Sequence, residues 1–186
     1  MNIKKMTGIS LFASISYVLS YLSFPVLPYI PFLKLDFSDL PVLIGTFSYG
    51  PLSGTLIAFI RSFMHYLLTG GELGFPIGDT AAFLASISFV LPLYFYLTKD
   101  AKVPFSKVKA GIVGTLGLTF TLTILNWFVL VPAYSYVLNF DVGPMKSYLL
   151  YGVIPFNLIK GAVLSAAFFL LLKNLQPFMM KNKKKR

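Results

Sequence analysis

The side chains best suited to binding chemistry lie near the end of the chain, inside an apolar stretch. Lys160 follows Asn157 by three positions, so both side chains share one face of a helix. A lysine at the centre of a membrane-spanning helix costs about 2.5–3.5 kcal/mol on insertion scales, and such charges usually mark a substrate or ion path. We therefore interpret both residues as ligand-binding groups; the alternative is a hydrogen bond that packs two helices together.

A second amide, Asn126, lies six residues before Pro132 in the preceding apolar stretch. Consecutive spans run in opposite directions, so Asn126 and Asn157 are expected at similar depth in the outer half of a membrane. Alone, Asn126 fits hydrogen bonding between helices equally well. Beside Asn157 and Lys160 it favours a binding site.

Charged and aromatic residues are mixed in residues 32–41, ahead of the second predicted helix. Ser38 or Asp39 is suited to cap that helix. Asp36 and Asp39 resemble a metal pair, but no His, Glu or further Asp accompanies them, so capping is favoured and no metal site is predicted. A Lys34–Asp36 ion pair that closes a lid is a further hypothesis.

Three more polar residues lie in or beside apolar stretches. Arg61 and His65 are four positions apart and share a helix face. Arg61 either pairs with a carboxylate or faces a partner subunit, and both interpretations stay open. Asp79 starts the next apolar stretch, where capping is the usual role of an aspartate and ligand binding the second interpretation.

Signatures of catalysis are missing from the sequence. The chain has no cysteine and one histidine, which excludes thiol chemistry and disfavours a zinc site. It has neither a Gly-x-x-x-x-Gly-Lys-Ser/Thr segment nor a Gly-x-Ser-x-Gly segment, so no P-loop ATPase and no serine hydrolase is predicted. We expect a binding protein with no catalytic residue, no cofactor and no energy source of its own.

The composition shows which environment must position these groups. Of the 186 residues, 56% are hydrophobic and only 12% are charged, whereas soluble domains carry about 25% charged residues. The net charge of +10 comes from basic clusters that flank apolar stretches, which is typical of membrane orientation and not of a nucleic-acid surface. The sequence therefore predicts an integral membrane protein.

Six helical spans account for the apolar stretches. Four stretches suit one helix each, whereas residues 39–69 are too long for one and contain Gly50-Pro51, which interrupts a helix. The second helix is short, about 16 Å long against a hydrocarbon core of about 30 Å, so the segment 25–38 must dip into the protein beside it. The predicted spans are 6–24, 39–49, 52–69, 78–98, 108–131 and 148–172.

Charge distribution sets the expected orientation. With six spans, twelve basic residues lie on one side and two, Lys34 and Lys146, on the other. Basic residues collect on the cytoplasmic side. We therefore predict an all-α membrane protein, one compact bundle of six transmembrane helices over residues 1–186, with both termini cytoplasmic and a basic tail at 173–186.

Four segments together resemble the substrate-binding S component of energy-coupling-factor (ECF) vitamin transporters, and specifically the riboflavin type. They are KLDFSDLP (34–41), GPLSG (50–54), LNWFVLVP (125–132) and IPFNLIKG (154–161). The resemblance covers nearly the whole chain. It implies a bacterial cell-membrane protein with an outward-facing pocket that captures the vitamin outside and releases it inside by toppling within the membrane.

The resemblance also implies partners, namely a transmembrane scaffold subunit and two ATPase subunits that supply the ATP chemistry. In the family, the first helix often docks on the scaffold through an Ala-x-x-x-Ala pattern. Here that pattern is altered, because Ala13 is followed four residues later by Tyr17. Small residues that permit close helix approach are present at Ser10 and Ser14, and we expect docking through these four positions.

Riboflavin matches the predicted polar groups. Its ring has one edge of alternating N–H and C=O groups, which asparagine can pair with as donor and acceptor. Asn126 and Asn157 are therefore expected to read this edge, and Lys160 to donate to a ring or side-chain oxygen. The remaining predicted substrate-binding residues are Leu35, Phe37 and Trp127, which cover the ring, and Asp36, Ser38 and Asp79.

Other functions stay open at this point. The nearest alternative is an S component for a different vitamin or a nucleobase-like ligand. An intramembrane lipid-modifying enzyme would need a cluster of carboxylates or histidines, whereas the six acidic residues are scattered. A structural or assembly protein would bind no ligand.

Overall fold

The protein is a bundle of helices. The computed structural model describes residues 3–30, 33–99, 106–139 and 141–183, with side chains up to residue 172. Within these residues there are six helices, as the sequence predicts. They are α1 (Ile3–Ser20), α2 (Asp39–Tyr49), α3 (Pro51–Thr69), α4 (Ile77–Lys99), α5 (Ser106–Leu138) and α6, which comprises Met145–Tyr148, Leu149–Val153 and Ile154–Lys183.

The last two helices each contain one π-helical turn, at Asn126–Leu130 in α5 and at Leu149–Val153 in α6. In both helices a proline lies two residues after the end of the π turn, Pro132 in α5 and Pro155 in α6. A proline cannot donate to the helical ladder, but a π turn has already interrupted that ladder. Helix α5 therefore continues to Leu138, although the sequence predicted an end at residue 131.

The first helix ends at Ser20, four residues before its predicted end, and an irregular segment follows. Phe24–Pro25 (β1) pairs in antiparallel fashion with Lys34–Leu35 (β2). Leu27, Ile30 and Leu35 of this segment are buried against α5 and α6. Helix formation is blocked because Pro25 removes a backbone donor. At Leu27, Ile30 and Leu35 the segment packs into the protein, as expected.

Helices α2 and α3 form the tight hairpin expected at Gly50-Pro51. Gly50 has a φ of 97°, a conformation that favours glycine, and Pro51 occupies the first position of α3. A Cβ on Gly54 would collide with the Thr46 side chain, so glycine permits the two helices to touch. The eleven-residue α2 is consequently the innermost helix, with Val42 and Leu43 fully buried.

The outer surface is apolar, as a membrane environment requires. Large side chains such as Leu52, Phe120 and Leu170 are at least 70% exposed. Three helical stretches in the described residues are long and apolar enough to span a membrane on their own, Ile77–Lys99, Ser106–Leu138 and Met145–Leu172. The chain is therefore a multi-pass membrane protein.

Candidate functional site

A cavity of about 590 Å³ lies between α4, α5 and α6. Its volume falls within the range of small-molecule pockets, about 300–1,000 Å³. Apolar side chains form most of its wall, and the segment between α1 and α2 contributes Ser23, Leu33 and Lys34. The three polar residues predicted from the sequence to act together, Asn126, Asn157 and Lys160, all line this cavity.

The two asparagines are held by their own helices. Asn157 Nδ2 donates to the Val153 carbonyl at 2.8 Å, and Asn126 Nδ2 donates to the Leu122 carbonyl at 2.8 Å. Asn126 Oδ1 accepts a hydrogen bond from the Tyr148 hydroxyl at 3.3 Å. Among the described residues, however, Asn157 Oδ1 has no hydrogen-bond partner, although Asn157 is only 1% exposed. A buried acceptor left unpaired costs about 1–3 kcal/mol, so this oxygen favours a ligand that donates to it.

A second, more polar cavity of about 310 Å³ adjoins the first beneath the segment between α1 and α2. The residues that line both cavities are here called the junction. They are Ser23, Lys34, His65, Glu72, Gly78, Ala82, Tyr134 and Lys160. A ligand with an apolar part and a polar part can therefore occupy the two cavities at once.

Four charges alternate in sign in the wall of the polar cavity. The Lys160 Nζ lies 3.5 Å from Asp36 Oδ2 and 4.0 Å from Asp39 Oδ2. The other carboxylate oxygen of Asp39, Oδ1, lies 3.0 Å from an Arg61 nitrogen. Arg61 is 4% exposed and Asp39 is 2% exposed. Each buried charge is thus matched by an opposite one, which burial requires.

This network resolves the open interpretation of Arg61. Arg61 pairs with a carboxylate, and it also donates to Ser38 Oγ at 2.7 Å and to Ser86 Oγ at 2.8 Å. Ser38 occupies the N-cap position of α2 but its side chain makes no capping hydrogen bond, because its hydroxyl accepts from Arg61. The carboxylates of Asp36 and Asp39 face cations, and the described residues contain no cluster of three metal-ligating side chains.

Asp36 stays ionised in this environment. Burial by itself raises the pKa of the carboxyl group, but the Lys160 ammonium and hydrogen bonding by Ser38 outweigh it, so the pKa lies below its ordinary value. The Ser38 backbone N–H donates to Asp36 Oδ1 at 2.8 Å. The segment ahead of α2 is therefore tied to α6 by a charged contact through Lys160, whereas the sequence analysis considered Lys34 for that pairing.

A second polar pair lies at the junction. His65 Nδ1 is 2.6 Å from Asp79 Oδ1, which joins α3 to α4. Asp79 is the third residue of α4, and its carboxylate contacts His65. The His65 ring also packs against Tyr17 and Tyr21, whose hydroxyls are 2.6 Å apart.

The predicted site residues separate into two groups. Asp36, Ser38, Asp79, Asn126, Asn157 and Lys160 line one or both cavities. Leu35, Phe37 and Trp127 lie outside both cavity walls as described. Leu35 is buried in a hydrophobic cluster, Phe37 packs against the core, and Trp127 is 40% exposed beside Phe128.

Other apolar residues line the large cavity. Leu122, Leu130 and Phe156 form its wall, together with alanines of α4. Three further lining residues, Glu72, Tyr134 and Tyr148, were not predicted from the sequence. Tyr134 lies beyond the predicted end of its helix, and Glu72 lies in a loop whose path depends on glycines with positive φ, so no periodic pattern marks either residue.

The predicted docking positions on α1 lie along one side of the helix but differ in exposure. Ser10 and Ser14 are exposed, whereas Ala13 is 2% exposed and belongs to the core, and Tyr17 is half-buried. Three or four residues separate neighbours on a helix surface, so Ser10 and Ser14 form the exposed small-residue pair. Ala13 faces the bundle and leaves no surface for a partner there.

The apolar exterior, the cavity between the helices and the paired internal charges define a membrane-embedded protein that binds a small molecule. The chain belongs to the family of substrate-specific components of ECF transporters, whose family model matches residues 4–172. A solved structure of the S component of a bacterial ECF transporter superposes with a TM-score of 0.79 at 38% identity, covering 95% of this chain and 97% of that one.

Characterised relatives carry a more specific description. The riboflavin transporter RibU of Staphylococcus aureus is 38% identical over 179 residues, which span 95% of this chain and 92% of that protein. The riboflavin transporter FmnP of Bacillus subtilis is 35% identical over 183 residues, which span 96% and 95% of the two chains. RibU of Streptococcus thermophilus is 34% identical over 183 residues, spanning 97% and 86%.

Proposed function

We propose that this protein is the riboflavin-binding S component of an ECF importer. It captures the vitamin from outside the cell and releases it inside when an ATPase module is coupled to it. The observation that carries the proposal is the grouping of Asn126, Asn157 and Lys160 in the lining of one cavity. Its relatives named as riboflavin transporters support the choice of ligand.

The cavity chemistry suits a flavin ring. The ring presents an N–H group between carbonyl groups, and Asn157 Oδ1 is an unpartnered acceptor among the described residues. Asn126 and Lys160 supply donors for the neighbouring ring oxygens. The apolar ring body then packs against Leu122, Leu130 and Phe156, the residues that replace Leu35, Phe37 and Trp127 in the role of covering the ring.

Import requires partners that this chain does not supply. A transmembrane scaffold subunit and two ATPase subunits complete the importer, and Ser10 and Ser14 on α1 offer an exposed surface for close helix contact with the scaffold. The loaded protein topples within the membrane when it docks, which turns the cavity towards the cytoplasm. The protein thus acts as a carrier and has no catalytic residue or ATPase site of its own.

The orientation follows from charge. The protein lies in a bacterial cell membrane with both termini in the cytoplasm, and the segments 21–38 and 70–76 face outside. Basic residues flank the opposite ends of the helices, as the positive-inside rule requires. The two cavities then open beneath the outer segments, where the vitamin arrives.

Titration of riboflavin fluorescence with the purified protein tests the assignment. Stacking and hydrogen bonding in the cavity should quench the fluorescence with one site per chain. Lys160→Met should weaken binding by about 10-fold to 100-fold, because a charged hydrogen bond contributes about 1.5–3 kcal/mol. Lys99→Met, at an exposed position at the end of α4, is the matched control and should bind as the wild type does. Absence of quenching at micromolar wild-type protein would overturn the riboflavin assignment.

A further inference from the structure

We propose that Glu72 makes this site select a flavin with an uncharged side chain over the phosphate ester of that flavin. The inference rests on the proposed function and adds a residue that determines specificity. Glu72 belongs to the loop between α3 and α4 and lines both cavities. Its carboxylate therefore faces the space where the ligand's side chain leaves the ring pocket.

The Glu72 carboxylate is held in place and cannot turn away from an anion easily. Its backbone exchanges two hydrogen bonds of 2.9 Å with Phe75, which closes a tight turn. In the side chain, Oε2 accepts from the Gly78 N–H at 3.1 Å and Oε1 accepts from the Tyr134 hydroxyl at 3.3 Å. A Cβ on Gly78 would lie 2.5 Å from Oε1, so glycine at this position makes room for the carboxylate.

The other three carboxylates in the cavity lining each contact a basic side chain. Asp39 contacts Arg61, Asp36 contacts Lys160 and Asp79 contacts His65. Glu72 contacts neutral groups, the Gly78 amide and the Tyr134 hydroxyl. The two cavities together are lined by four carboxylates against three lysine and arginine side chains. Within the described residues, Glu72 is the cavity carboxylate for which no basic side chain is in contact, so its charge disfavours an anionic ligand beside it.

The ligand orientation brings its side chain to Glu72. The ring edge is placed by Asn126 and Asn157, and the ring body needs the apolar wall formed by α4, α5 and α6. The hydroxylated side chain then extends into the polar junction, where it can hydrogen-bond with Glu72, His65 and Tyr134. A terminal phosphate would add about −1.5 to −2 charges beside a carboxylate in a partly dehydrated space, where like charges repel strongly.

Lys34 carries the opposite charge to Glu72 and therefore offers a second test of the same proposal. It also lines both cavities, from strand β2 at the edge of the junction. A lysine at this place attracts the phosphate that Glu72 repels. Neutralising the two residues one at a time should therefore change the ratio of the phosphate-ester Kd to the riboflavin Kd in opposite directions.

The test compares the Kd values of riboflavin and riboflavin 5′-phosphate for four proteins. Relative to the wild type, Glu72→Gln should tighten binding of the phosphate about tenfold, and Lys34→Gln should weaken it about tenfold, the order of effect of one partly screened charge. The ratio of the two Kd values is the deciding quantity, because a changed hydrogen bond to the hydroxylated side chain affects both ligands alike whereas a changed charge affects the phosphate ester. Lys146→Gln, an exposed control outside both cavities, should change neither Kd.

Each outcome decides the proposal. An unchanged ratio of the two Kd values in Glu72→Gln, or equal weakening of both ligands, would overturn it and indicate that Glu72 has a structural role. If Glu72→Gln does not yield folded protein, Lys34→Gln decides alone, because an unchanged ratio there places the phosphate away from the junction. Failure of the wild type to bind either ligand would instead reject the proposed function itself.

Discussion

Asn126 and Asn157 use their amide groups in the same way. Each donates one hydrogen bond to the carbonyl four residues earlier in its own helix, which fixes the side chain and aims its oxygen away from that carbonyl. The Asn126 oxygen accepts a hydrogen bond from the Tyr148 hydroxyl. The Asn157 oxygen stays unpartnered among the described residues. Asn157 therefore contributes little to the stability of the unliganded protein and much to binding.

Asn157→Leu tests whether Asn157 contributes to binding and not to the stability of the unliganded protein. Leucine has nearly the same size and removes a buried oxygen without a partner, so the unliganded variant should unfold at the same temperature as the wild type or a higher one. Riboflavin affinity should fall by about 10-fold to 100-fold, because a hydrogen bond in the ligand's ring edge is lost. Thermal unfolding in detergent and fluorescence titration measure the two effects. A variant that loses stability and affinity together would contradict this expectation.

At the scale of helices, Arg61 links three elements around the site. It projects from α3, and its guanidinium group contacts Asp39 in α2 and both Ser86 Oγ and the Ala82 carbonyl in α4. Asp39 also lies near Lys160 of α6. The short α2 is thus anchored by charge at the end nearest the cavity, while its other end is fixed by the hairpin at Gly50.

Arg61→Met should be among the more destabilising single substitutions in the site. It leaves Asp39 buried without its closest cation, and breaking a buried ion pair from one side costs about 3–5 kcal/mol. The double variant Asp39→Asn with Arg61→Met should recover most of that loss, because no carboxylate then remains unpaired. Unfolding midpoints in detergent compare the variants, with Lys99→Met as the exposed control. If Arg61→Met and the double variant have equal unfolding midpoints, the unpaired Asp39 carboxylate is not the cause of the lost stability, and the ion pair does not anchor α2.

The sequence was informative wherever a polar group had to be buried in an apolar helix. Asn126, Asn157 and Lys160 were predicted together because their apolar sequence neighbours show that burying these polar side chains in a membrane costs free energy. The break at Gly50-Pro51 was predicted because proline cannot donate to a helical hydrogen bond. Glu72 was not predicted, because its position depends on a loop turn. Helix α5 was predicted too short because the π turn before Pro132 leaves no mark in the hydrophobic pattern.

The orientation of the whole molecule can be tested directly, because the chain contains no cysteine. Lys107 is exposed at the start of α5 and Lys146 is exposed at the start of α6, at opposite ends of the connected pair of helices. If both termini are cytoplasmic, a cysteine at position 146 faces outside and one at position 107 faces inside. A maleimide that does not cross membranes should label Lys146→Cys in intact cells and Lys107→Cys only after permeabilisation. The reverse pattern would place the cavities on the cytoplasmic side, and capture from outside would then be ruled out, since a ligand arriving there could not reach the junction.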